Sequence, residues 1–187
     1  MSAASTVGTV HDALVQVFSE LDRWLELPGP HLEARPEYPG AWTVLEHLEH
    51  IGLVNHFLLL TIGKGCRKAL RRAEVQAIPE TESELAPLAP IADPDAIEWQ
   101  PPAHMLPTGT TDPARLRALL EGQGRHCLEL LAAMPGGEGR LCSIRMSVLG
   151  LGRLDMYQWL YFLAQHGRYH LTFLARRCGV EATRGGL

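Results

Sequence analysis

The sequence predicts an all-α fold: a four-helix up-down bundle with a long loop between its second and third helices. Three observations carry this. Apolar residues recur at three-and-four spacing in four separate stretches, the mark of a helix with one buried face. Capping residues open the second and third stretches, and Pro or Gly follows the ends of the first, third and fourth. Strand-like alternation is almost absent, and four helices of this length can bury their stripes against one another.

The first helix spans Val7 to Leu27, with Val10, Leu14, Val17, Phe18, Leu21 and Leu25 on its stripe, and Pro28-Gly29-Pro30 stops it. The second opens on a capping box. Thr43 caps, Glu46 three residues on reaches back to the cap, and Trp42 is placed to staple onto position 47. Its stripe runs through Leu48, Ile51, Val54, Phe57 and Leu58 to about Arg72, with Gly63 and Gly65 as weak points. Residues 74–111 carry seven prolines from Pro79 to Pro107, a density that excludes a long regular helix. A connection of that length either shapes a site or returns the chain to one end of the bundle; Trp99 is expected to pin it. Asp112-Pro113 opens the third helix, an acidic cap before proline at the first helical position. Pro135-Gly136-Gly137 ends it. Residues 140–152 read as a hairpin or loop. The fourth helix runs from about Leu154 to Arg177, with Gly179 as a left-handed cap. Trp159, Phe162, Leu163, His166, His170 and Phe173 share one of its faces.

The chain has 187 residues, 46% of them apolar, which suits a single domain over residues 1–187 with a substantial core. Net charge is −4, and only Arg67-Lys68 and Arg71-Arg72 cluster, as the solvated last turns of a helix. That balance argues against a nucleic-acid partner. The longest apolar run, around Phe57 to Ile62, is far below the ~20 residues of a membrane span. Met1 to Thr9 shows no signal peptide, so a soluble, cytoplasmic protein is expected. Cys66, Cys127, Cys142 and Cys178 form no CxxC pair and read as reduced thiols.

Chemistry enters with the histidines. His166 and His170 are four residues apart, so they stand one above the other on a helix and can close on one metal ion. They lie in an apolar stripe, where an unpaired polar group is costly, and Gly167 between them leaves space beside the pair. A third ligand would come from the second helix. His56 projects away on the helical wheel. His47 lies nearer the apolar face, but the staple employs it; His50 is its neighbour at i, i+3. The spacing leaves His47 and His50 both open. Three protein ligands keep a coordination position free, the pattern of catalytic rather than structural zinc. Glu46 reads first as the capping-box residue, and otherwise as a carboxylate orienting a ligand imidazole. His11, His31, His104 and His126 read as surface or capping residues. Cys127 next to His126 makes a poor nucleophile pair, because adjacent helical residues point apart.

Residues 39–51, Pro-Gly-Ala-Trp-Thr-Val-Leu-Glu-His-Leu-Glu-His-Ile, resemble the W-[ST]-x-x-E-x-x-x-H-[LI] signature of the DinB-like/YfiT-like superfamily. Gly152-Arg153-Leu154, Gln158-Trp159-Leu160 and His166-x-x-x-His170 are similar to the end of the same superfamily. The resemblance spans nearly the whole chain. It implies a four-helix bundle whose three histidines hold a divalent metal, zinc or nickel. The family's first histidine lies eight residues after the tryptophan, which selects His50; the other two are His166 and His170. Members include metal-dependent hydrolases, bacillithiol-type S-transferases and mycothiol-dependent isomerases, and many are dimers.

The expected function is therefore a metal-dependent thiol S-transferase or hydrolase acting on a small-molecule substrate, with a low-molecular-weight thiol as a second cofactor and a homodimer as the assembly. The loop of residues 74–111 and the segment 140–152 would shape the pocket; Tyr157, Gln158 and Arg168 are candidate substrate contacts, with packing or solubility as the equal alternative. Two alternatives remain: a thiol-dependent isomerase with the same metal, and a non-catalytic metal-binding stress-response or sensor protein.

Overall fold

The computed structural model describes residues 5–97 and 100–177. Trp99, Cys178 and Gly179 lie outside the described residues. Four long helices dominate: α1 (Thr6–Leu25), α3 (Val44–Ala73), α4 (Pro113–Ala132) and α5 (Met156–Arg177). A single turn, α2 (Gly29–Leu32), follows α1. An antiparallel hairpin, β1 (Ser143–Met146) with β2 (Gly152–Asp155), precedes α5, so the hairpin alternative is the one realised for this segment. The protein is an all-α bundle with one small accessory sheet.

The starts obey the expected local chemistry. Thr43 Oγ1 accepts from the Glu46 amide at 3.1 Å while the Glu46 carboxylate accepts from the Thr43 amide at 2.6 Å, completing the capping box of α3. Asp112 caps α4 by accepting from the Arg115 amide at 2.9 Å. Asp155 and Gln158 form a second reciprocal pair at the start of α5. At the end of α3, Arg71 is exposed, but Arg72 is half-buried and donates to the Leu141 carbonyl at 2.6 Å, so it tethers rather than solvates.

In the bundle α1 packs on α4 and α5, and α3 packs on the same two. Gly52 of α3 meets Leu116, Leu119 and Leu120 near the start of α4, and Arg72 at the end of α3 meets the segment following α4. These helices therefore run parallel, so the all-α bundle departs from the expected up-down alternation between its second and third long helices. Parallel neighbours require the chain to travel back along the bundle, which is the work of residues 74–111. This connection forms 3-10 turns at Ala86–Ala92 and Ala103–Met105, as its prolines demand, and lies along α5. Leu88 and Ile91 anchor it, each 1% exposed. Tyr169, Gln158 and Arg176 of α5 donate to it at Ile97, Glu84 and Asp93.

α3 and α5 are antiparallel, so the beginning of α3 faces the latter half of α5 and Gly65 faces Met156. Gly65 is a packing residue rather than a weakness. A Cβ there would stand 2.1 Å from Met156 Sδ and 3.1 Å from Ile144 Cδ1. Gly65→Ala is expected to destabilise the protein by about 1–3 kcal/mol through overpacking; an unchanged urea midpoint would show that the contact is looser than these distances imply. Gly167 also differs from expectation. A Cβ there would stand 2.8 Å from Val17 Cγ2, so the missing side chain lets α1 and α5 approach rather than opening space beside the histidines.

Candidate metal centre

Four imidazoles meet at the end of the bundle where α3 begins. His47 and His50 come from the first two turns of α3, and His166 and His170 from α5. The capping box sets where α3 starts, and so fixes the first pair; helical periodicity stacks the second. All four are at least nine-tenths buried, at 7%, 3%, 3% and 4% exposure in that order.

Among the described residues, His50, His166 and His170 each offer a ligand atom, and these atoms all lie within 4.8 Å of one another. The Nε2 atoms of His166 and His170 are 3.3 Å apart. Two nitrogens bound to a tetrahedral ion at 2.0–2.1 Å are separated by roughly 3.3–3.4 Å. His50 Nδ1 donates to the Met105 carbonyl at 2.7 Å, which leaves its Nε2 for the cluster. The donor set and spacing therefore fit a divalent cation. His47 sits beside this group with its Nδ1 3.1 Å from His170 Nδ1, and its ring packs on Trp42 and Phe173 with centroids at 5.3 and 5.0 Å. The staple is thus present, and the same tryptophan also covers His50 at 5.0 Å.

Burial holds all four imidazoles below the ordinary histidine range. His47 is lowered to about 4 by desolvation, helped by His50, and His166 to about 3 by desolvation and then His50. His170 is pushed well down by desolvation and its three histidine neighbours; His50 is lowered by desolvation against the opposing Met105 bond. Neutral imidazoles are the form that ligates metal.

Glu49 is the residue that sequence reasoning passed over. It is 5% exposed, and its carboxylate accepts from Thr108 Oγ1 at 2.7 Å and the Gly109 amide at 3.1 Å. Burial would raise its pKa, but bonds from Thr111, Thr108 and Gly109 outweigh that and lower it. The signal was available: a Glu beside His50 faces the bundle, and a buried carboxylate needs donors. Glu49 clamps the end of the long loop, and the same loop supplies Met105 to His50. Glu49→Ala should cost about 1–3 kcal/mol of stability and weaken metal binding about tenfold by loosening the His50 partner. Isothermal titration with zinc against a urea melt checks both; full affinity in the variant would separate the loop from the site.

A cavity of about 210 Å³ opens beside the cluster, lined by Trp42, His47, His50, Tyr169, His170 and Phe173 together with Tyr38, Gly40 and Pro101. The long loop reaches it through Pro101. The segment 140–152 does not, because it packs at the opposite end of α3, about 22 Å away along the helix by its rise per residue. The three suggested substrate contacts are structural. Tyr157 donates to the Met134 carbonyl, Gln158 to the Glu84 carbonyl, and Arg168 to Gln16 at 2.6 Å. Glu46 is committed to its cap. His11, His31, His56, His104 and His126 are all exposed. Cys66, Cys127 and Cys142 are buried free thiols, and burial pushes the first two up to about 12, far from nucleophilic use. No helix among the described residues is long and apolar enough to cross a membrane.

No curated protein and no solved structure gives a significant match. A family model described as the DinB superfamily matches residues 13–174, the span from the middle of α1 to near the end of α5. Covering most of the chain, and both helices that carry the histidine cluster, that match shows that the chain belongs to the DinB superfamily.

Proposed function

We propose that the protein is a metal-dependent enzyme that transfers a low-molecular-weight thiol, or water, to a small-molecule electrophile, with His50, His166 and His170 as the ligands of one divalent ion, zinc or nickel. The observation that carries this is the convergence of three buried, neutral imidazoles at a spacing that suits a single cation. Family membership supports the same reading.

A divalent ion held there would supply Lewis acidity, lowering the pKa of a thiol or water toward neutrality. The chain's own residues do the rest. Met105 and the i, i+4 stacking of α5 orient the three imidazoles in advance, so little reorganisation accompanies metal binding. Trp42, Tyr169 and Phe173 give the cavity aromatic walls that exclude water and bind an apolar substrate face. Three protein ligands leave room for an exogenous one, which favours catalysis over a closed structural site.

The test is metal analysis of the purified protein, followed by turnover assays of the zinc- and nickel-loaded forms with bacillithiol or another thiol and a haloalkane electrophile, and with simple esters. Metal-dependent product is expected in at least one series. Stoichiometric metal with no turnover in any of them would turn the reading to a non-catalytic metal-binding protein.

A further inference from the structure

We propose that His47 is a positioning residue that holds His170 in its ligating tautomer. The inference rests on the three-histidine site proposed above. The Nδ1 atoms of His47 and His170 are 3.1 Å apart in the interior, and one shared proton bridges them. His170 Nε2 faces His166 Nε2 at 3.3 Å, on the side where the ligand nitrogens gather. A neutral imidazole that offers its Nε2 lone pair carries its proton on Nδ1. His170 therefore donates, and His47 Nδ1 accepts. His47, also neutral, must then carry its proton on Nε2.

That atom is buried without a hydrogen-bond partner, in a residue that is 7% exposed and lines the cavity. The two rings that pin His47, Trp42 and Phe173, line the same cavity and keep its imidazole in this orientation. His47 lies on the far side of His170 from the ligand cluster, which makes it a hydrogen-bond partner of a ligand and not a competing ligand. The ambiguity between His47 and His50 in the sequence thus resolves into two different roles.

The experiment uses the full chain in three forms: unaltered, His47→Asn and His47→Phe. Asn places a side-chain oxygen near the position of Nδ1 and keeps an acceptor; Phe keeps the ring and removes it. Cobalt affinity is measured by chelator competition, and long-range 15N–1H correlation spectra of the zinc-loaded unaltered protein read the tautomers. The expected result is Nδ1–H on His170 with Nε2–H on His47, cobalt affinity in His47→Asn within about threefold of the unaltered chain, and a loss of about 10–100-fold in His47→Phe. Equal affinity in His47→Phe, equal losses in both variants, or a proton on His47 Nδ1 would overturn the proposal. Should His47→Phe fail to fold, the tautomer spectrum and the Asn variant still decide it. An unaltered chain that binds neither cobalt nor zinc would instead overturn the metal site itself.

Discussion

Replacing both His166 and His170 with alanine is expected to strip the protein of the metal proposed for it while leaving a helical bundle. The two side chains are two of the three imidazoles that could hold an ion, and His50 alone would be an ordinary monodentate site. Protein zinc sites are worth on the order of 10 kcal/mol shared among a few ligands, so losing two should lower affinity by about 10⁴-fold or more. Truncation also removes buried polar groups that the metal-free protein has to keep desolvated, which offsets part of the cavity cost. Elemental analysis after dialysis should fall from about one ion per chain to near none, while far-ultraviolet circular dichroism keeps its helical signal. His56→Ala, an exposed change on the same helix as His50, should leave metal content untouched. Unchanged stoichiometry in the double variant would refute the ligand assignment.

Acid should unfold the metal-free protein well above the pH at which carboxylates protonate. An unfolded histidine titrates near 6.5, whereas His47 is held to about 4 and His166 to about 3. Between these values the unfolded chain binds more protons than the folded one, so stability falls as pH falls. Above about pH 6.5 both states hold neutral imidazoles and the full stability is present. By pH 4 a single imidazole lowered this far costs on the order of 3 kcal/mol, a sizeable share of a typical 5–15 kcal/mol. His170 and His50, lowered by the same desolvation, act in the same direction. Urea midpoints of the metal-free protein should decline steadily from pH 7 to pH 4.5. A flat profile over that range would mean the imidazoles are not held neutral by burial. Metal loading should shift the decline to lower pH, because bound imidazoles must lose the metal before they gain protons.

The bundle was legible because its determinants are local. The Thr43–Glu46 box, the Asp112-Pro113 start and the four apolar stripes each act within a few turns, and the helices begin within two residues of where those signals place them. The proline density of residues 74–111 correctly ruled out a long helix. What it could not convey is the anchoring by Leu88 and Ile91, because an apolar residue in a loop carries no periodicity to reveal which neighbour it will meet. The site was half legible. His166 and His170 declare themselves by spacing, and the capping box brings His50 and His47 to the bundle end together. The separate roles proposed for them depend on whether each ring points its Nε2 or its Nδ1 at a neighbour elsewhere in the chain, which is set by tertiary structure. Gly167 was misread for the same reason: its close neighbour is Val17, far away in the chain. Tyr157, Gln158 and Arg168 take the packing alternative rather than the substrate one, and polar side chains on a helix carry no mark in the sequence that separates the two.

One cation among three imidazoles is the central claim, and anomalous diffraction at the zinc and nickel edges, from crystals of metal-loaded protein, tests it most directly. A single strong peak is predicted about 2.0–2.1 Å from the Nε2 atoms of His50, His166 and His170, with His47 outside the coordination shell. A peak elsewhere, or none within reach of those three nitrogens in fully loaded crystals, would contradict it.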